Sequence, residues 1–386
     1  MAGDEAPQSS AALLPSIVHT FIRQEYSKID PALPEMLEVL TAVGAAECWH
    51  KKSTFKAHLL EVYKILKIWG TDDALARCGL MHSAYSNSFV NLAIFKPDVE
   101  RSRVAQLIGQ EAEALTYRFC VVPRQQLIQV DLLDKLPMGS PDLQVHAGGL
   151  TVPHIRTGEP LHVDLLELGQ FLVLTMADFA EQLFSWQDCM FSNTDGALRL
   201  EGAPDPEPRY LWPGPMLPGL WVSAVSRMGR LLVSCKQQLE AAGDPRAVQL
   251  TIPPVFDHCS CILTEQDQQA ARDLYWEVVS DMQQQHPQHA QQAAEKLQRV
   301  ITLNPWVPEP HLMLAQLHIH AKEWGAAREA AGTALKLFAQ WGTAWDKRMP
   351  WDAWVAWTRV CYEAAVEQRW PQQPLGVLSM GMVQGL

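Results

Sequence analysis

The chain has 386 residues, 48% hydrophobic and 19% charged, which is a globular balance with room for two or three domains and excludes a disordered or linker-like chain. Its 31 basic against 43 acidic residues leave a net charge of −12, which argues against a surface built to neutralise nucleic-acid phosphates or to dock on anionic lipid. The longest apolar run, Phe171 to Ala177, is stopped by Asp178, well short of the ~20 residues that a membrane span needs.

The first ten residues carry two acids and no base, so neither a secretory signal nor an Arg-rich transit peptide is expected. Eight cysteines are scattered without a Cys-x-x-Cys pair, and they read as reduced, mostly buried thiols of a cytoplasmic protein. In chain order, residues 1–30 read as an N-terminal segment with a helix from Leu14 to Tyr26, followed by an amphipathic piece from Pro34 to Val43. Ser53 and Thr54 are good helix caps, and Phe55, Leu59, Val62, Leu66 and Trp69 recur at helical spacing before Gly70 ends the run. Asp72 starts another helix through Leu75, Cys78 and Met81, and Arg101 to Cys120 reads as one more. Residues 121–161 read as a loop with room for a small hairpin. Leu165 to Trp186 then predicts a long core helix, and the prolines from Pro204 to Pro218 end the first domain near residue 200.

The connector at 201–263 holds a helix over Leu220 to Ala242 and a break at Pro253–Pro254. Residues 264–386 form a helix-rich third. Pro308 to Trp341 fits a 34-residue helix–turn–helix period, with Leu314, Ala315 and His318 on the first helix and Ala327, Ala331 and Ala334 on the second. Ala293, Leu297, Val300 and Asn304–Pro305 echo its second half one period earlier. This region resembles tetratricopeptide repeats, which implies a protein partner bound through the helices; a plain helical bundle gives the same small-residue spacing. Eight of the fourteen tryptophans fall between 306 and 370. They either cement the last helices or line an aromatic groove, with Asp346, Lys347 and Arg348 as its polar rim.

Among thirteen histidines, His146, His154, His162, His286 and His289 sit in polar sequence and are expected at the surface. His50, His58 and His82 flank or occupy the first strong helices, and Asp178 interrupts the most apolar helix of the first domain. A carboxylate placed there costs several kcal/mol unless a donor, a cation or solvent compensates it.

The order His58 in a helix, Gly79-Leu-Met-His82-Ser83, Ile108-Gly109-Gln-Glu-Ala-Glu113 and Met176-Ala-Asp178-Phe-Ala-Glu181 resembles the HD phosphohydrolase superfamily. Within it the alarmone-hydrolase branch is the closest look-alike, and His-Ser in place of His-Asp is similar to an uncharacterised HD-like family of unknown function. The resemblance covers about residues 45–190. It implies an all-α fold, an HD-like domain over 31–200 before the TPR-like domain, and a divalent metal (Mn, Fe or Zn) held by His58, His82 and Asp178, with His50 available to complete the set. It further implies hydrolysis of a nucleotide phosphoester or pyrophosphate, with Glu181 as general base or as a carboxylate orienting a histidine. Arg124, Tyr85 and Asn87 are the candidate substrate contacts, Arg124 toward phosphate.

Three departures weaken the catalytic pattern: Ser83 replaces the aspartate of the doublet, Ser86 and Asn87 replace a Glu-Asp pair, and Phe179 replaces an arginine. A non-catalytic scaffold with a degenerate site is therefore the alternative. No phosphate loop, dinucleotide fingerprint or Gly-x-Ser-x-Gly elbow occurs, so no nucleotide cofactor is expected. Cys259-Ser-Cys261 beside His258 is a weak metal or redox signal.

Overall fold

The computed structural model describes residues 9–50, 53–88, 93–97, 99–124, 126–128, 148–182, 218–281, 287–373, 375–378, 380 and 382–383. The fold is all-α, as expected, with two small antiparallel two-stranded sheets among the described residues. No described helix is long and apolar enough to cross a membrane. The chain divides into two compact units, one of Thr20–Gln182 with Trp221–Thr264, the other of Met1–His19, Leu183–Leu220 and Glu265–Leu386.

The first unit is built from α1 (Leu33–Ala42), α2 (Phe55–Ile68), α3 (Asp73–Leu80), α4 (Arg101–Ile108), α5 (Gln110–Val121), α6 (Leu165–Gln182), α7 (Val222–Ala241) and the short α8 (Val255–His258). Caps set the registers of two of them. The Thr54 hydroxyl accepts the Ala57 N–H at 3.2 Å and starts α2, and the Asp72 carboxylate accepts the Leu75 N–H at 2.8 Å and starts α3. Thr54→Ala is expected to cost about 1 kcal/mol, read as a lower urea midpoint at unchanged slope.

A two-residue ladder, β1 (Trp49–His50) with β2 (Ser53–Thr54), leads into that cap and carries His50. The expected helix from Arg101 to Cys120 is two helices, because Gly109 adopts φ +95°, ψ 154°, which a helix cannot contain. The hairpin is present as β3 (Leu150–Pro153) and β4 (Pro160–Val163). The core helix α6 is buried on nearly every side, consistent with its continuous apolar sequence.

The helix read as part of a connector belongs to this unit. Val222, Val225, Met228, Leu231, Leu232 and Leu239 form the apolar stripe of α7, and it is buried against α6. The prolines between 204 and 215, and Trp186, lie outside the described residues.

The second unit holds α9 (Glu265–Asp281), α10 (Pro287–Leu303), α11 (Glu309–His320), α12 (Trp324–Trp341) and α13 (Trp351–Val366). Ala315 of α11 and Ala327, Ala331 and Ala334 of α12 are fully buried, so the small residues do allow a close helix pair. Residues 9–19 belong here: the Ser10 N–H donates to Glu363 at 2.7 Å, and Arg359 donates to the Ser10 hydroxyl at 3.1 Å.

Trp341, Trp351 and Trp354 are buried, and each indole N–H donates to a backbone carbonyl, of Trp306, Phe338 and Asp346 respectively. Asp346 is itself fully buried, between the Tyr275 hydroxyl and Arg348. These side chains cement the unit. Trp341, Trp351, Trp354 and Asp346 are not the wall and rim of an open groove, whereas Trp324, Trp357 and Trp370 line a surface cavity.

Candidate metal centre

Three side chains from three helical segments converge in the first unit. His58 lies one turn into α2, His82 just after α3, and Asp178 in the last third of α6. Their exposures are 2%, 3% and 5%. Nε2 of His58 is 3.4 Å from Nε2 of His82 and 3.4 Å from Oδ1 of Asp178, and Nε2 of His82 is 3.8 Å from the same oxygen.

The approach of α3 to α2 depends on Gly79. A Cβ there would stand 2.2 Å from Cδ1 of the buried Leu66. Gly79→Ala is expected to cost about 1–3 kcal/mol by overpacking and to pull His82 away from His58. Differential scanning calorimetry checks the first effect and metal titration the second. Arg77, clamped on Asp30 at 2.7 and 2.9 Å, ties α3 to the segment before α1.

The outer nitrogens decide what the inner ones can do. Nδ1–H of His58 donates to Glu181 Oε2 at 2.5 Å, and Nδ1–H of His82 donates to the Gly79 carbonyl at 2.7 Å. A carbonyl or a carboxylate can only accept, so each neutral ring has its single proton outside and a lone pair inside. Burial pushes the His82 imidazole down to about 4, against a smaller opposing effect of Asp178, so it is neutral at pH 7.

The inner nitrogen of the neutral His82 ring thus carries a lone pair, and it faces Nε2 of His58 and the carboxylate oxygen of Asp178. Separations of 3.4–3.8 Å exceed the 2.7–3.2 Å of a good N–H···O bond. The two 3.4 Å separations fall within the spacing of about 3.3–3.6 Å between two donors of a tetrahedral shell with bonds of about 2.0–2.2 Å, and the third, 3.8 Å, lies just beyond it. The three donors could thus hold a metal ion between them.

Behind the three donors stands a second ring of contacts. Gln182, one turn after Asp178, donates its amide N–H to Asp178 Oδ1 at 2.5 Å. Its carbonyl oxygen accepts from Nε2 of His50 at 2.9 Å. His50 thus supports Asp178 through Gln182 instead of joining the convergent trio. Burial and the neighbouring His58 hold its pKa below the ordinary histidine value. Glu181 backs His58 and fixes its tautomer, the arrangement by which carboxylates orient metal-ligating imidazoles.

The other candidates are engaged elsewhere. Arg124 is fully buried, its guanidinium 3.3 Å over the Phe119 ring centroid, donating to the Phe119 carbonyl at 3.0 Å and to the Thr175 hydroxyl at 3.3 Å. Burial lowers its pKa to about 10, while the charge of Asp178 acts in the opposite sense. The Tyr85 hydroxyl donates to Glu113 at 2.9 Å, a carboxylate that Arg101 clamps at 2.7 and 2.8 Å. Asn87 donates to the Ser83 hydroxyl at 3.0 Å, which gives both side chains a local partner.

Gln182 and the Gly79 carbonyl were not singled out from the sequence. The i, i+4 spacing of Asp178 and Gln182 is the signal that was available for the first; a backbone carbonyl leaves none. His154, expected at the surface, is nearly buried, and its Nδ1 accepts the backbone N–H groups of Arg156 and Thr157. His162 and His289 are exposed, and His146 and His286 lie outside the described residues.

Residues 39–124 match the family model described as Domain of unknown function (DUF6817). The match spans His50, His58, His82 and Ser83, and it ends before Asp178, Glu181 and Gln182. No curated protein and no solved structure matches the chain.

Proposed function

We propose that the first unit is an HD-like, divalent-metal-dependent hydrolase of a nucleotide phosphoester or pyrophosphate in the cytoplasm, joined to a TPR-like helical unit that binds a protein partner. The observation that carries this reading is the convergence of three lone-pair donors, each with its orientation fixed from behind. A divalent ion bound there would act as a Lewis acid and lower the pKa of a coordinated water. Within the chain, Glu181 holds the His58 tautomer, the Gly79 carbonyl holds that of His82, and Gln182 with His50 holds the Asp178 carboxylate. The protein supplies three donors and leaves the remaining positions to water and substrate.

A second reading, a scaffold in which the centre pins helices, is favoured by the burial of all three donors and by the internal contacts of Arg124 and Tyr85. Metal content by mass spectrometry separates the two, on protein purified without chelator or affinity metal, beside a His58→Ala, Asp178→Ala double variant. About one equivalent in the wild type and none in the variant is expected. No metal in either, with the variant only less stable, sinks the hydrolase reading.

A further inference from the structure

The thiols of Cys78, Cys120, Cys235 and Cys361 are buried, and burial pushes them up to about 12, 11, 12 and 12, which makes them poor nucleophiles. Cys259 and Cys261 differ from these in two ways. Cys261 is exposed and Cys259 half-buried, and their sulfurs lie 3.1 Å apart, about 1 Å beyond the length of a disulfide bond.

The loop that carries them is anchored on both sides. The Cys259 N–H donates to the Val255 carbonyl at 3.1 Å, closing α8. Two residues after Cys261, the buried Leu263 donates its N–H to the Ser226 hydroxyl of α7 at 3.0 Å. Between the two, the Ser260 carbonyl accepts from Arg230 at 3.4 Å. The ring of Phe256 lies so close to Gly229 of α7 that a Cβ there would come within 1.9 Å of it, which fixes α8 on α7. The two thiols are thus brought together by the fold and not by chance motion of a free loop.

We propose that Cys259 and Cys261 are a redox modification site that closes to an intrachain disulfide in exchange with a low-molecular-weight disulfide such as glutathione disulfide. The exposed Cys261 thiolate attacks one sulfur of glutathione disulfide, forming a mixed disulfide and expelling one glutathione thiolate. The Cys259 thiolate then attacks the Cys261 sulfur, forms the Cys259–Cys261 bond and expels the second glutathione. Two electrons pass to glutathione disulfide, and the two thiol protons end on two molecules of glutathione. Contact with Cys261 and partial burial both raise the Cys259 thiol, so the first attack falls to the exposed Cys261, and the second step relies on the 3.1 Å approach of the two sulfurs. The closed ring would rigidify the segment three residues before the chain leaves this unit at Thr264.

The test equilibrates the reduced, full-length protein with glutathione buffers of graded composition, quenches with an alkylating agent and maps the peptides by mass spectrometry. The expected product is a peptide about 2 Da lighter that holds both cysteines without alkylation and is restored by dithiothreitol. Cys259→Ser and Cys261→Ser should each abolish it while leaving the far-UV circular dichroism unchanged. The proposal is overturned if both thiols stay alkylatable at every ratio, or if the reaction stops at the mixed disulfide. A bond to another cysteine or to a second chain also overturns it. So does a zinc or copper ion that co-purifies at one per chain and is lost in Cys261→Ser.

Discussion

Glu309→Gln is expected to make the second unit about 3 kcal/mol more stable than the wild type at pH 8, with the advantage vanishing near pH 4.5. Glu309 opens α11 fully buried, and its Oε1 accepts the backbone N–H groups of Trp345 and Asp346 at 2.7 and 2.9 Å. Its second oxygen has no partner among the described residues. Burial raises the carboxyl from 4.5 to about 7, the nearby Asp346 adds to this, and the two backbone donors oppose it. The folded state therefore binds more protons than the unfolded state between those values. Its stability is greatest below pH 4.5 and is lost as the pH rises through 7. Glutamine keeps the accepting oxygen and mimics the protonated form, so the variant lacks this loss. Urea titrations of both proteins at pH 5, 6, 7 and 8 check it, since every other titrating group cancels in the difference. A difference that stays constant across this range would mean that Glu309 is already ionised when folded.

Glu181→Gln is expected to weaken binding of Mn or Zn about 10–100-fold, or about 1.4–2.7 kcal/mol. The amide oxygen still accepts Nδ1–H of His58, so the tautomer survives. The negative charge is lost, and with it the push that makes Nε2 a better donor to a cation. Competition against a chromophoric chelator measures the affinity directly. Unchanged affinity with lost turnover would instead assign Glu181 to the reacting substrate, the catalytic role that the sequence also allows.

Much of the centre was legible because it violates local rules. A charged Asp178 within Leu-Val-Leu-Thr-Met-Ala requires compensation, and the structure provides Gln182 and the facing imidazoles. Capping residues likewise placed α2 and α3, since the signal and the hydrogen bond lie within four residues of each other. Arg124 was legible only as a charge after a proline. Its place over Phe119 and beside Thr175 depends on the meeting of α5 and α6, which no local pattern encodes. The partnership of Ser10 with Glu363 spans nearly the whole chain and leaves no trace in either segment alone. Gly109 was visible, but within an otherwise helical pattern a glycine reads as a tolerated weakness until its positive φ is known.

The distribution of tryptophan has a spectroscopic consequence. Of the fourteen indoles, only Trp49, Trp69 and Trp221 belong to the unit with the candidate centre, and Trp49 is 56% exposed. Nine others, from Trp276 to Trp370, lie in the second unit, and Trp186 and Trp212 lie outside the described residues. Intrinsic fluorescence will therefore follow the melting of the helical C-terminal unit and will be nearly blind to the unfolding of its neighbour. An optical denaturation curve that looks like a single transition would describe one unit alone, and the stabilising effect of a bound ion would go unseen unless Trp69 and Trp221 were left as the sole emitters.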